Sequence, residues 1–292
     1  MLTLLPGFKF PMPDWEDEFS RAPQQTDVAV IDAYCTGLAK DWCALLAPAL
    51  GPDYVVTESN HFLLVDSQTP QTRQRILNWA EQAHSRLSEV LCNTVGRLVG
   101  KIPVLMTADL DTYYEYLAQY YPEGDHALSG GVYLNHGYGH LLFCHLDFAH
   151  SHGAIAHELA HSFLAGLPIP VWLNEGVAQL AEIALAGQIS RDLELVRETI
   201  DSFWTPDTIQ EFWRGESFQR PDEGQLQSYH LALVLTRRLA TDAARFRAFL
   251  AEASFEDAGE SALQNHWGIS LQSMVAEYLG PGDWAPKPDP AS

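Results

Sequence analysis

The sequence predicts an α+β fold: a small N-terminal mixed sheet with helices, followed by a helical half. Three observations carry this. The apolar runs that read as strands, around His61–Val65, Ile102–Thr107 and Leu141–Leu146, all fall before residue 151. From Ser151 onward nothing reads as a strand and the apolar spacing is helical. No internal repeat or low-complexity tract breaks the order, so strands come first and helices afterwards.

Taken in order, residues 1–27 form an extended, acidic, proline-rich arm carrying Pro6, Pro11, Pro13 and Pro23. Trp15 and Phe19 give it a means of docking on the body. Asp27–Leu50 has helical apolar spacing and is closed by Gly51-Pro52. Tyr54–Asp66 contains the first strand. Thr72–Val99 is an amphipathic helix between Pro70 and Gly100, Ile102–Thr107 a compact strand, and Asp109–Tyr121 a tyrosine-rich helix. Gly131–Asp147 reads as two strand segments joined near Gly137-Tyr-Gly139. The remainder is a helical half, 151–280. With the sheet-bearing half, 28–150, it makes one domain over 28–280, and the proline-rich residues 281–292 form a flexible tail.

The chain has 292 residues, enough to bury a sizeable core without staples. Lys and Arg number 17 against 38 Asp and Glu, a formal charge of −21, which disfavours nucleic acid and anionic membranes as partners. No apolar run reaches the 18 or so residues of a membrane span, and no basic, apolar secretory leader opens the sequence. Cys35, Cys43, Cys92 and Cys144 lack any CxxC pairing and read as reduced core thiols of a cytoplasmic protein.

Residues 157–161 read His-Glu-Leu-Ala-His. We expect a helix here, capped by Ser151, closed by a left-handed Gly166 and followed by Pro168. On a helix, His157 and His161 lie about 40° apart and project from one face, one turn apart. Two imidazoles so placed can take two corners of a tetrahedral zinc. Glu158 points about 100° away, beside the metal, where it can accept a proton from a metal-bound water. Ile155, Ala156, Leu159, Ala160, Phe163 and Leu164 mark the helix as buried, and ionisable groups there are costly unless paired or metal-bound. The plainer reading is a hydrogen-bonded His pair with Glu158 at the helix edge. A third ligand is available at Glu175, fourteen residues beyond His161 on the next helix. Its plainer role is an acid favouring the helix dipole.

HELAH followed by PVWLNEGVAQ resembles the gluzincin metallopeptidases, and specifically the compact peptidase MA-like proteins of bacteria. The strict match runs from His157 to Ala178. A looser one takes in residues 55–107, the Ser-Tyr segment at Tyr229 and the stretch 267–277. The resemblance implies a thermolysin-like core with one zinc per chain between the two halves. His157, His161 and Glu175 would be its ligands, Glu158 the catalytic base and a peptide or protein the substrate. One departure stands out: Gln179 occupies a position where family members commonly carry an acid that orients a ligand imidazole. The family also binds extended peptide along an edge strand, for which Gly131–Leu134 or Gly139–His145 would serve. Its oxyanion donor comes from a later helix, here Tyr229 or its neighbour His230, with the Ser-Tyr resemblance favouring Tyr229.

Two further clusters have bland readings. His136, His140, His145, His150 and His152 crowd the stretch before the motif, where exposed or pocket-lining imidazoles are a simpler account than a second metal site. Tyr113, Tyr114, Tyr116, Tyr120 and Tyr121 follow helical spacing and read as core and rim. The expectation is therefore a zinc-dependent metallohydrolase acting on peptide bonds. The alternative is a weak or inactive zinc-stabilised binding or regulatory protein on the same fold.

Overall fold

A computed structural model of the chain describes residues 2–24, 27–91, 99–121, 131–144, 148–187, 196 and 203–288. The fold is α+β, mostly helical, with one five-stranded mixed sheet. The chain divides into two compact units, Met1–Glu89 with Arg97–Ser162, and Val90–Gly96 with Phe163–Ser292. The HExxH segment thus belongs to the sheet-bearing unit, although the sequence pattern placed it at the start of the helical half.

The first unit opens with a small hairpin in which Leu5 N–H donates to Met12 C=O and Asp14 N–H to Thr3 C=O. The helix α1 (Trp15–Ser20) follows, with Asp14 accepting from Asp17 N–H at its start. Far from trailing loose, this arm buries Leu2, Phe10, Met12 and Trp15. Trp15 packs edge-on against Trp42, whose indole N–H donates to Pro11 C=O. The long helix α2 (Val28–Leu50) is capped by Asp27, whose carboxylate accepts from Ala29 N–H, and stops at Gly51.

The strands are β1 (Val55–Glu58), β2 (Phe62–Asp66), β3 (Ile102–Thr107), β4 (Gly131–Leu134) and β5 (His140–Cys144). Their order is β1-β2-β3-β5-β4; β2, β3 and β5 run parallel, and β1 and β4 are antiparallel edges. The sequence reading placed a single strand around His61–Val65 within 54–66, which is β2, and missed β1, because β1 is exposed and carries no apolar alternation. β2 and β3 are buried along their whole length and apolar except for their last residues, Asp66 and Thr107, as interior parallel strands are. Pro103 is tolerated because pairing of β3 with β5 starts only at Val104.

One sheet face, with Leu63, Val65, Leu105, Leu134 and Leu142, packs on Cys35, Trp42, Cys43 and Leu46 of α2. Tyr113, Tyr116 and Leu117 of α4 (Leu110–Leu117) complete that core. On the other face lie Phe62, Leu64, Val104, Met106, Leu141 and Phe143. Helix α3 (Pro70–Leu91) lies on this side, where His84 meets the Phe62 ring edge-on. So does α5 (Phe148–Leu164), with the Trp79 indole of α3 donating to its His152 C=O. Of the expected continuation of α3 to Val99, residues 92–98 lie outside the described residues, and Val99 itself is not helical.

Helix α5 begins three residues before Ser151, which therefore sits in its first turn and is not the cap. Gly166 does not adopt the expected left-handed conformation. A turn closes the helix instead, with Leu167 N–H donating to Leu164 C=O.

The second unit holds α6 (Val171–Ala186), α7 (Thr208–Arg214), α8 (Glu223–Leu239), α9 (Ala243–Glu252), α10 (Glu260–Trp267) and α11 (Leu271–Leu279). Left-handed glycines end three of them, at Gly187, Gly215 and Gly268. The tail is docked as far as Lys287. Trp284 is buried, Trp213 donates to its carbonyl, and the Gln210 amide both donates to Ala285 C=O and accepts from Lys287 N–H. Among the described residues no helix is long and apolar enough to cross a membrane.

Candidate metal centre

Helix α5 carries the motif because both its flanks are apolar. Ile155, Ala156, Leu159 and Ala160 are buried, which leaves His157 and Glu158 only 8% and 9% exposed. His161 is half-buried. The two imidazoles stand one helical turn apart, ring centroids 4.8 Å from each other and tilted by 76°. One donor atom from each of His157, Glu158 and His161 lies within 4.8 Å of the others, and among the described residues this is the one such group of three.

That arrangement suits a divalent ion. Two imidazoles project from one face of a helix buried on its other sides, and a carboxylate stands next to them. Glu158 is anchored from outside its own helix, its Oε2 accepting the main-chain N–H of Tyr133 on β4 at 2.7 Å. Side-chain patterns could not reveal this contact, since the donor is backbone. The sequence signal behind it was only that Gly131–Leu134 is one of two candidates for an edge strand, Gly139–His145 being the other. The topology makes β4 that edge and places β5 inside the sheet.

The remaining candidates lie in the second unit. Glu175 is half-buried in the second turn of α6. Four residues on, Gln179 is buried, and its amide donates to Tyr229 C=O at 2.8 Å and, more weakly, to Glu175 C=O at 3.3 Å. Tyr229, half-buried on α8, meets Phe218 edge-on at 5.2 Å. The His230 Nε2 pairs with the Tyr278 hydroxyl at 2.7 Å.

Of the histidines preceding the motif, His136 is exposed as expected, whereas His140 and His152 are packed against the body. His140 is a core residue, 1% exposed. Its Nδ1–H donates to Tyr138 C=O and its Nε2 accepts from the Tyr116 hydroxyl, both at 3.0 Å. Burial pushes its pKa down to about 4. The His152 ring packs on Trp79 at 4.4 Å, and burial followed by the charge of Arg75 holds its pKa below the ordinary value. His145 and the side chain of His150 lie outside the described residues. Tyr113, Tyr116 and Tyr120 are buried while Tyr121 is exposed, so the tyrosine helix is core and rim as its spacing predicted.

Comparison of the sequence with models of known families and with curated proteins gives no match.

Proposed function

We propose that the protein is a zinc-dependent hydrolase of peptide bonds. The observation that carries this reading is the close approach of His157, Glu158 and His161 on one buried helix. His157 and His161 would hold the ion, and the resemblance to gluzincins assigns the third ligand to Glu175. Bound there, zinc supplies an acidified water and polarises the scissile carbonyl.

The chain's own residues do the rest. Glu158, kept in place through Oε2, accepts the proton of the attacking water and returns it to the leaving amine. An extended substrate pairs with β4, whose outer edge carries no other strand among the described residues. Tyr229 donates to the oxyanion; the Tyr278 bond already engages one nitrogen of the rival His230, which supports this choice. Free thiols at Cys35, Cys43 and Cys144 suit a reducing cytoplasm.

The alternative, a zinc-stabilised binding or regulatory protein, draws its support from Gln179, a neutral group where an acid is common. The hydrogen bond from Gln179 to Tyr229 C=O gives that amide a structural use and weakens the inference of lost activity. A proteome-derived peptide library incubated with the zinc-loaded protein separates the two readings. Hydrolysis that disappears with Glu158→Gln supports the peptidase. Zinc binding without any cleavage supports the alternative.

A further inference from the structure

The hydrogen bond between Tyr133 and Glu158 joins a strand edge to the helix of the metal centre. In the antiparallel β4–β5 pair, Tyr133 stands opposite Leu141. Residues of such a pair alternate between those that exchange ladder bonds and those whose main-chain groups face away. Tyr133 is of the second kind, since its N–H goes to Glu158 Oε2 at 2.7 Å. The position of this strand residue is itself set by packing. Its ring leans over Gly139, where a Cβ would come within 2.2 Å of the Tyr133 hydroxyl.

A carboxylate within 4.8 Å of two imidazole nitrogens has two possible uses. It can join the histidines as a ligand of the same ion, or stand beside that ion as a base. Rotation about the Glu158 side chain is all that separates them, so whatever fixes the rotamer decides the use. A charge-assisted bond from a rigid main-chain donor does so at little entropic cost.

Building on the metallohydrolase reading, we propose that the Tyr133 main-chain N–H is the positioning group that keeps Glu158 beside the metal as a base and prevents it from becoming a ligand. One oxygen is tied to the strand and the carboxylate retains the other for proton transfer. Loss of the N–H frees the side chain to swing onto the ion, with opposite effects on metal affinity and on turnover.

The test replaces Tyr133 by its α-hydroxy-acid analogue, which turns the amide into an ester and puts an oxygen that cannot donate in place of the N–H. Because that N–H faces away from β5, the sheet ladder survives and the melting temperature should stay close to that of the parent. Zn²⁺ affinity, measured by competition with a chelating dye, should rise about tenfold, and Glu158→Gln in the ester background should abolish the gain. For the best-cleaved library peptide, kcat should fall about tenfold with KM unchanged. Tyr133→Phe, which keeps the N–H, should match the parent in Zn²⁺ affinity. An ester variant with parental Zn²⁺ affinity and kcat overturns the proposal, as does an equal rise in Zn²⁺ affinity in Tyr133→Phe. A parent that takes up no Zn²⁺ overturns the functional reading, and this proposal with it.

Discussion

Gln179 of α6 and Tyr229 of α8 are joined by a hydrogen bond from the glutamine amide to the tyrosine main-chain carbonyl, 2.8 Å long and partly buried between the two helices. The glutamine is 1% exposed, so the group opposite that carbonyl must be a donor. A carboxylate there would set acceptor against acceptor in a dry seam. Gln179→Glu should therefore lower the unfolding free energy by about 3 kcal/mol, and the near-isosteric Gln179→Met by about 1 kcal/mol. Denaturant titration of the two variants checks the ranking; a glutamate variant as stable as the parent would refute it.

The same seam explains Gly176. A Cβ at that position would stand 2.0 Å from Thr236 Oγ1 and 2.8 Å from the main-chain oxygen of Ala232. The threonine could rotate, but the carbonyl could move only with its helix. Gly176→Ala should cost about 3 kcal/mol despite the better helix propensity of alanine, and adding Thr236→Ala should recover only part of it. Full recovery in the double variant would show that the helix backbones do not meet there.

How legible this molecule was depended on where each signal resides. β3 and α2 were read to within a residue because unbroken apolar runs and the caps Asp27 and Gly51 are local. The pairing of His157 with His161 was legible for the same reason, since helical spacing alone sets it. Ser151 misled because a good capping residue was available and the helix nonetheless began at Phe148. β1 was missed because an exposed edge strand needs no apolar pattern. The docked arm and tail were hidden by prolines whose intervening tryptophans, Trp15 and Trp284, have partners remote in sequence. The anchoring of Glu158 by a main-chain N–H leaves no trace in side-chain order at all.

His140 makes stability depend on pH. Burial lowers its pKa to about 4 from an unfolded value of about 6.5, so below that value the unfolded chain binds the proton more readily than the folded one. Its contribution is fully present above pH 6.5 and is lost as pH falls from 6.5 toward 4, a total of about 3 kcal/mol. Melting temperature followed between pH 7 and 4 should drop less steeply in His140→Gln than in the parent. Parallel curves for the two proteins would remove His140 as the cause.

Glu158→Gln separates binding from chemistry. The amide keeps an oxygen that can accept the Tyr133 N–H, so the local structure should hold, but it cannot take a proton from water. Peptide hydrolysis should fall by about 10² or more while zinc content is retained. Undiminished hydrolysis would mean that another group is the base.

The most direct measurement is the metal content of purified protein equilibrated with zinc and then freed of loosely bound ions. We expect one zinc per chain in the parent and in Glu158→Gln, and almost none in His157→Ala or His161→Ala. A metal-free parent, or histidine variants that keep their zinc in full, would contradict the assignment of this helix as a metal centre.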